Sequence, residues 1–226
     1  MNILLTNDDG YFAKGINLLF NLLKDKHYVV MVAPHISNSA KSVAITLDRE
    51  IEVKKINDHQ FVIDATPSDC VAFGLSSLDT KFDIVISGCN HGLNISYDTM
   101  YSGTVGAALQ SLTYEIPSIA VSCMNNFDVV KKHFLEVLNY IIENKLLSKE
   151  YMLNVNFPLG DVVEGIRHTH IHYRSKKEAT YYIKNTNGLF FATRDTIDEQ
   201  CDDKDSDVYA IHHHLVSITK INKALG

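Results

Sequence analysis

Short apolar runs alternate with helical segments along the first two-thirds of this 226-residue chain, and this alternation is the strongest constraint on its fold. The runs Tyr28–Ala33 and Phe82–Ser87 are predominantly apolar, as is typical of strands that are buried on both faces. The segment Phe127–Glu143 instead repeats apolar residues at helical spacing. The pattern therefore predicts an α/β fold, with a three-layer structure built on a mostly parallel sheet and helices on both faces.

Apolar spacing and capping residues set the expected element boundaries. Thr66-Pro67-Ser68-Asp69 combines an N-cap, a proline at the first helical position and a capping box, so a helix should begin there. The predicted strands are Asn2–Thr6, Tyr28–Ala33, Phe82–Ser87, Ser118–Ser122 and Leu153–Phe157. The predicted helices are Gly15–Lys24, Pro67–Leu78, Ser102–Leu112 and Phe127–Glu143.

Two other regions have a β-rich pattern. The runs Val43–Leu47, Ile51–Lys55 and Gln60–Asp64 predict a β-meander beside the main sheet. After about Gly160 the alternation stops, and acidic Glu199–Asp207 is expected to be a loop. The extended segments expected there are Val162–Tyr173, Ala179–Lys184, Leu189–Thr193 and His214–Thr219. We therefore expect a core over residues 1–160 and a β-rich arm over residues 161–226 that completes the same domain and packs on another subunit.

Composition narrows the class of protein. A formal net charge of −6 provides no basic surface for a polyanion, so stable nucleic-acid binding is not expected. No apolar run approaches the ~20 residues of a membrane span, and no basic segment precedes an apolar one at the N-terminus. The four cysteines lack CxxC spacing, which favours reduced thiols. These features predict a cytoplasmic globular protein with no membrane association.

The first strand runs directly into Asn7-Asp8-Asp9-Gly10. Ligands bind at the carboxyl ends of parallel strands, so both carboxylates should lie in a binding crevice. Adjacent ionised carboxylates repel each other unless a cation lies between them, and hard oxygen ligands favour Mg²⁺, Mn²⁺ or Ca²⁺. A solvated Asn-Asp-Asp-Gly turn is the alternative interpretation.

Two more polar loops follow predicted parallel strands and should reach the same edge. Pro34–Ser42 contributes hydroxyl groups, including that of Ser39, and Ser87–Asn94 contributes the amides of Asn90 and Asn94. Together with Asp8-Asp9 they form an oxygen-rich set suited to Mg²⁺ or Mn²⁺.

Small residues open the helix that follows the asparagine-rich loop, in Tyr101-Ser102-Gly103-Thr104-Val105-Gly106. The free N–H groups and positive dipole end of a helix, with two hydroxyls, make an anion site suited to phosphate. The alternative is a serine N-cap with small residues for close helix packing. Beside an expected metal cluster, we favour the phosphate interpretation.

Together these motifs resemble the SurE (survival protein E) family of metal-dependent nucleotidases, over nearly the whole chain and in the same order. The matching segments are Asn2–Gly10, Val32–Pro34 with Ser39 and Ser42, Thr66–Val71, Ile86–Asn94, Tyr101–Ala108, Leu153–Pro158 and Val216–Thr219. The chain departs from the family pattern at Lys14, where proline is usual, at Ala40 and Val43, where glycine and asparagine are usual, and at Ser206-Asp207, which replaces Thr-Asp.

The resemblance implies a Rossmann-like fold and hydrolysis of nucleoside 5′- and 3′-monophosphates, with short polyphosphate as a possible further substrate. It also implies one divalent cation per subunit, Mg²⁺ or Mn²⁺, and a homodimer or homotetramer assembled through the C-terminal arm. Carried over by position, the metal ligands are Asp8, Asp9, Ser39 and Asn90, and the phosphate-binding residues are Asn94, Ser102, Gly103 and Thr104.

The expected chemistry is metal-assisted phosphate-ester hydrolysis, with Asp8 or Asp9 as catalytic residues that position the attacking water or accept its proton. One alternative is a haloacid-dehalogenase-type phosphatase, but its two aspartates lie two residues apart and here they are adjacent. A non-enzymatic nucleotide-binding subunit is the other alternative. The alternating His168, His170 and His172 are interpreted as surface residues of the arm rather than as a metal face.

Overall fold

The computed structural model describes residues 1–173, 181–186, 189–194 and 201–223. Within them, nine strands form one sheet in the order β3-β4-β2-β1-β5-β6-β7-β11-β8, and β9 and β10 form a second sheet of two strands. The strands are β1 (Asn2–Thr6), β2 (Tyr28–Pro34), β3 (Val53–Asn57), β4 (Gln60–Ile63), β5 (Ile84–Asn90), β6 (Ser118–Ser122), β7 (Tyr151–Asn156), β8 (Gly165–Thr169), β9 (Tyr181–Thr186), β10 (Leu189–Arg194) and β11 (Leu215–Asn222). The helices are α1 (Lys14–Leu23), α2 (Pro67–Ser77), α3 (Asp98–Tyr101), α4 (Gly103–Leu112), α5 (Phe127–Glu143) and α6 (Asp207–His212).

The centre of the sheet is parallel, as the alternation predicts. Strand β1 pairs in parallel with β2 on one side and with β5 on the other, so that Leu4 lies opposite both Val30 and Val85. Strands β6 and β7 continue the parallel order beyond β5. Because the strand order reverses at β1, the crevice outside the carboxyl ends of β1 and β5 is a topological switch point, where ligands bind in such folds.

Helices cover both faces of the sheet, which confirms the three-layer α/β arrangement. On one face, buried side chains of α1 and α5, such as Leu19 and Phe134, pack with Ile3 and Leu5 of β1. On the opposite face, residues of α2 and α4 pack with Leu4. Successive residues of a strand point to opposite faces, so β1 contributes to both cores. No helix among the described residues is long and apolar enough to cross a membrane.

Local signals place several boundaries within one or two residues. The capping box at Thr66 is present: its hydroxyl oxygen accepts from the Asp69 N–H, and the Asp69 carboxylate accepts from the Thr66 N–H. Strand β6 and helix α5 have the predicted bounds. Strand β5, however, continues through Gly88, Cys89 and Asn90, which were expected to be loop.

The predicted β-meander is only partly present. Strands β3 and β4 form an antiparallel hairpin whose second strand joins β2 in parallel, but Val43–Leu47 forms no strand. The backbone groups of this segment bond elsewhere, because the Ser42 N–H donates to the Tyr101 carbonyl (3.0 Å) and the Thr46 N–H to the Asp69 carboxylate (3.0 Å). These bonds hold the segment, and Ser42 just before it, against α2 and α3, so it forms a loop rather than a third strand.

The region after residue 160 contributes to the main sheet. Strand β11 pairs antiparallel with β7, and β8 pairs in parallel with β11 at the sheet edge. Strands β9 and β10 pair antiparallel with each other. The acidic stretch is a loop over its described residues 201–206, as expected, and only its last residue, Asp207, enters helix α6, whose N-cap is Ser206. Residues 199 and 200 of this stretch lie outside the described residues, as do 179 and 180 of an expected strand.

Candidate active site

The loops after β1 and β2 and the end of β5 converge on one cavity of about 390 Å³ at the carboxyl edge of the sheet. Its lining includes most of the residues expected to hold metal and phosphate, namely Asp8, Ser39, Asn90, Asn94 and Ser102. His91, Asp98 and Tyr101 complete much of the wall. The convergence arises because three neighbouring parallel strands, β2, β1 and β5, end at the same edge.

Asp8 is held at the bottom of this site. Its side chain is buried, and Oδ1 accepts a hydrogen bond from Thr104 Oγ1 at 2.5 Å. Burial raises the pKa of Asp8 to about 6; the Thr104 hydrogen bond lowers it, and the negative charge of Asp9 raises it further. A buried carboxylate next to a second one is a site that a cation would stabilise.

One carboxylate oxygen of Asp9 accepts no hydrogen bond. Its side chain is 7% exposed, and Oδ1 lies 2.7 Å from His91 Nδ1. That contact lacks hydrogen-bond alignment, so Oδ1 is a buried oxygen with no hydrogen-bond partner, as is Asn7 Oδ1. Buried acceptors are normally satisfied by a donor or a cation. An oxygen that accepts no hydrogen bond and has only this His91 contact fits a metal ligand.

The rest of the donor set fits a hard divalent cation. Asn90 Nδ2 donates to the Gly92 carbonyl (2.8 Å), which leaves its Oδ1 for a ligand. Ser39 is exposed, with its hydroxyl 3.1 Å from that of Ser37. Among the described residues, no three His, Cys, Asp or Glu side chains are grouped to hold a metal ion. A cation here would thus depend on the serine and asparagine oxygens beside the two carboxylates, an all-oxygen set.

The phosphate-binding candidates lie around the start of α4. Ser102 is the N-cap, and its hydroxyl oxygen accepts from the Val105 N–H (3.1 Å). Thr104 is fully buried and directs its hydroxyl to Asp8 rather than into the cavity. A side chain at Gly103 would place its Cβ 2.8 Å from Asp8 Cβ, so only glycine allows the helix to approach so closely.

A second glycine of α4 allows the loop that contains Ser39 to pack closely against this helix. A Cβ at Gly106 would lie 1.9 Å from the Ser42 carbonyl oxygen. The loop is also held by a backbone hydrogen bond, because the Asn38 N–H donates to the Asp8 carbonyl at 2.7 Å. Contacts to α4 and to the segment after β1 together bring Ser39 to the carboxylates, although the loop has no regular secondary structure.

Comparison with known proteins decides the family. A family model described as Survival protein SurE matches residues 3–178. The chain belongs to the SurE family. It is 38% identical over 234 residues to the 5′-nucleotidase SurE of Thermoanaerobacter sp. (strain X514), covering 98% of this chain and 92% of the relative. It is 36% identical over 247 residues to the 5′-nucleotidase SurE of Actinobacillus pleuropneumoniae serotype 5b (strain L20), covering 98% and 93%.

A solved structure of the family has the same fold. The crystal structure of the SurE protein from Aquifex aeolicus superposes with a TM-score of 0.89 at 29% identity, covering 100% of this chain and 95% of that one. The family resemblance inferred from the motifs is thereby confirmed, together with the mostly parallel α/β fold. At one departure from the SurE pattern, Ala40 adopts a φ of 59°, a conformation that favours the glycine usual there.

Asn94 is held by residues to which sequence reasoning gave no role in the site. Its carbonyl accepts from Asn154 Nδ2 (2.7 Å) and Asn156 Nδ2 (3.1 Å), and its N–H donates to Asn156 Oδ1 (2.8 Å). Both asparagines are fully buried on β7. Their alternation inside an otherwise apolar strand was the available signal, since a buried amide must find partners.

Asp207 is a third residue to which sequence reasoning gave no role in the site. It is fully buried, and its carboxylate accepts from the N–H groups of Ser96 (2.8 Å), His172 (2.9 Å) and Val208 (2.9 Å). Burial raises the pKa of Asp207, and these hydrogen bonds lower it in part. The residue therefore ties the loop between Asn94 and Ser102 to the C-terminal region.

Proposed function

We propose that this SurE-family chain hydrolyses nucleoside 5′-monophosphates with a divalent cation held by Asp8, Asp9, Ser39 and Asn90. The relatives named 5′-nucleotidase support the activity. The observation that carries the metal assignment is the pair of adjacent, largely buried carboxylates at the carboxyl edge of the sheet, one of which has an oxygen that accepts no hydrogen bond. We assign one Mg²⁺ or Mn²⁺ to each subunit, because these ions prefer oxygen ligands and retain waters.

Each protein group has a defined task in this proposal. When bound, the cation supplies Lewis acidity toward a phosphate oxygen and lowers the pKa of a water. Thr104 holds Asp8 in one orientation through the 2.5 Å hydrogen bond. Asp8 or Asp9 positions the attacking water or accepts its proton. The first N–H groups of α4, near Ser102, Gly103 and Thr104, stabilise negative charge on the phosphoryl oxygens, and Asn94 helps to hold the phosphate.

The proposal extends to nucleoside 3′-monophosphates, because a site that recognises phosphate and metal makes few demands on which hydroxyl is esterified. Short polyphosphate is a further candidate on the same chemistry. The adjacent positions of Asp8 and Asp9 disfavour a haloacid-dehalogenase-type phosphatase. A non-enzymatic nucleotide-binding subunit predicts binding without phosphate release, so the two hypotheses differ in a simple assay.

We also propose that the residues after 160 support a homodimer or homotetramer. Strands β9 and β10 form a hairpin outside the nine-stranded sheet, and an isolated hairpin is marginal in water. Packing on another subunit would stabilise it. Light scattering at micromolar concentration tests this proposal, and a fully active monomer would contradict it. A cytoplasmic location is proposed from the four unpaired cysteines.

A phosphate-release panel tests the function directly. Nucleoside 5′- and 3′-monophosphates and short polyphosphate are assayed with Mg²⁺, with Mn²⁺ and with EDTA. We expect metal-dependent release from 5′-monophosphates that EDTA abolishes and excess metal restores. Tight nucleotide binding without release would favour the non-enzymatic alternative, and release that is unaffected by EDTA would contradict the metal assignment.

A further inference from the structure

The metal and phosphate parts of the proposed site leave the nucleoside without an assigned partner. The bottom of the cavity is closed, because Asp8 and Thr104 are buried and hydrogen-bonded to each other. The helix also approaches closely here, since a Cβ at Gly103 would lie 2.8 Å from Asp8 Cβ. A nucleoside whose phosphate is bound at the start of α4 must therefore extend outward, along the exposed wall of the cavity.

Tyr101 presents an aromatic ring at this wall. It lines the cavity of about 390 Å³, and the residue is 49% exposed. Tyr101 directly precedes Ser102, the N-cap of α4, and consecutive Cα atoms are only about 3.8 Å apart. Its backbone is fixed, because its carbonyl accepts from the Ser42 N–H at 3.0 Å. A ring at this position is therefore close enough to the phosphate site to meet another part of the same nucleotide.

Other exposed side chains near the cavity are less suited to hold a nucleoside. His91 also lines the cavity, but its Nδ1 lies 2.7 Å from Asp9 Oδ1, so its ring belongs to the metal end of the site. Phe12 and Met100 are more exposed than Tyr101, but neither is among the described residues that line this cavity. Those lining residues include no lysine or arginine, so a base would be held through its ring faces rather than by positive charge.

We propose that Tyr101 stacks on the nucleobase and thereby selects nucleotides over phosphate esters that lack a base, a role that rests on the proposed function. Stacking on an aromatic side chain accepts every base, because each base has a π-face, and the modest preferences that remain follow stacking strength. A purine has a larger ring system than a pyrimidine. The site should therefore accept all nucleoside monophosphates and favour those with a purine.

Substrates with and without a base test this role. Adenosine 5′-monophosphate and ribose 5-phosphate share the sugar and the phosphate and differ only in the base. Tyr101→Leu should lower kcat/KM for the nucleotide by about fivefold to tenfold, the lower end of the scale for base–aromatic stacking because the ring is half exposed. Its kcat/KM for ribose 5-phosphate should stay within about twofold of the wild-type value. Tyr101→Phe keeps the ring and should match the wild type on both substrates.

Tyr114→Leu is the matched control. Tyr114 is 38% exposed and follows the opposite end of α4, a helix about 15 Å long. Because the same side chain is removed far from the cavity, kcat/KM should stay within about twofold for both substrates. Circular dichroism and Mn²⁺ binding then establish that Tyr101→Leu is folded and retains the metal site.

A second comparison tests the basis of selection. The wild type should have a higher kcat/KM for adenosine 5′-monophosphate than for uridine 5′-monophosphate, and this ratio should shrink in Tyr101→Leu. A ratio that is unchanged in Tyr101→Leu would show that the base is recognised elsewhere.

Equilibrium dialysis with labelled adenosine tests the subsite without catalysis. Adenosine carries the base but no phosphate, so its binding requires neither the cation nor phosphate release. We expect the wild type, Tyr101→Phe and Tyr114→Leu to retain adenosine, and Tyr101→Leu to bind it about fivefold more weakly. If no nucleotide were hydrolysed at all, the proposed function would fail while the dialysis still decided the base subsite.

Several results would overturn the proposal. Tyr101→Leu could keep the wild-type kcat/KM for the nucleotide, or it could lose equally on ribose 5-phosphate, which would assign the ring to the phosphate end. Tyr101→Phe could be as impaired as Tyr101→Leu, which would make the hydroxyl the determinant. Finally, the wild type could fail to bind adenosine, or could bind it no better than Tyr101→Leu does.

Discussion

The inner and outer halves of the candidate active site differ in how they are held. The inner half, formed by Asp8, Asn94 and Thr104, is almost wholly buried, and hydrogen bonds fix each side chain. The outer half, formed by Ser39, His91 and Tyr101, is open to solvent, with the His91 side chain 56% exposed. Burial allows the inner half to be preorganised, whereas the outer half depends on how its loops are seated on α4.

The difference predicts where substitutions matter. A hydrogen bond to a buried charged group contributes about 1.5–3 kcal/mol, whereas one between neutral groups contributes about 0.5–1.5 kcal/mol. Changes in the inner half should therefore impair activity strongly, and changes in the outer half only moderately, unless they remove a metal-binding charge or unseat a loop.

The largest effect is expected from the carboxylates. Asp8→Asn or Asp9→Asn should lower nucleotidase activity by at least ~10²-fold, since each charge helps to hold the cation. Folding should change little, because removing one of two adjacent carboxylates relieves repulsion. Steady-state kinetics at limiting metal measures the loss. Asp58→Asn, which removes only a surface ion pair with Lys55, is the control; full activity in Asp9→Asn would show that the metal ligands lie elsewhere.

The next largest effect is expected where the Ser39 loop packs against α4. Gly106→Ala places a methyl group against the Ser42 carbonyl, so we expect a loss of about 1–3 kcal/mol in the free energy of unfolding and weaker metal binding. Urea unfolding measures the change in the free energy of unfolding. Gly165→Ala is the control, because its new Cβ would meet Leu215 at an ordinary 3.7 Å. Equal stability of the two variants would contradict the close packing of the Ser39 loop on α4.

A paired comparison tests the two halves directly. Thr104→Val keeps the volume and removes the donor to Asp8, which should cost about 1.5–3 kcal/mol in kcat/KM, whereas Ser39→Ala at the exposed position should cost about 0.5–1.5 kcal/mol. Kinetics with several nucleotides measures both. If Ser39→Ala were the more damaging of the two, the preorganised inner half would not be the main determinant of activity.

The smallest effect is a pH dependence of stability at Asp207. Burial raises the pKa of this carboxyl above its ordinary value of 3.8, so the folded state binds the proton more tightly than the unfolded state. The resulting stabilisation is present below pH 3.8 and is lost as pH rises through the raised pKa. The stability of the wild type relative to Asp207→Asn should therefore fall with pH over that window in denaturant unfolding. A constant difference would contradict the shift.

Features set by neighbouring residues could be predicted from the sequence, whereas features set by contacts between distant residues could not. Local signals were enough for β6, α5 and the Thr66 cap, and the polar segments after two predicted strands, which contain Asp8 and Asn94, indicated the inner half. Contacts between distant residues could not be read this way. Asp69 serves the cap and also binds Thr46, which turns an expected strand into loop. Asp207 reaches Ser96 across 111 positions of sequence, and no local pattern marks that bond.

The central claim is that the adjacent carboxylates at the end of β1 hold a divalent cation. Titration of the nucleotide-free protein with Mn²⁺, followed by electron paramagnetic resonance, measures this directly. We predict one Mn²⁺ site per chain in the wild type and in Asp58→Asn, and affinity weakened by about tenfold or more in Asp9→Asn. Unchanged stoichiometry and affinity in Asp9→Asn, or no Mn²⁺ bound by the wild type, would contradict the account.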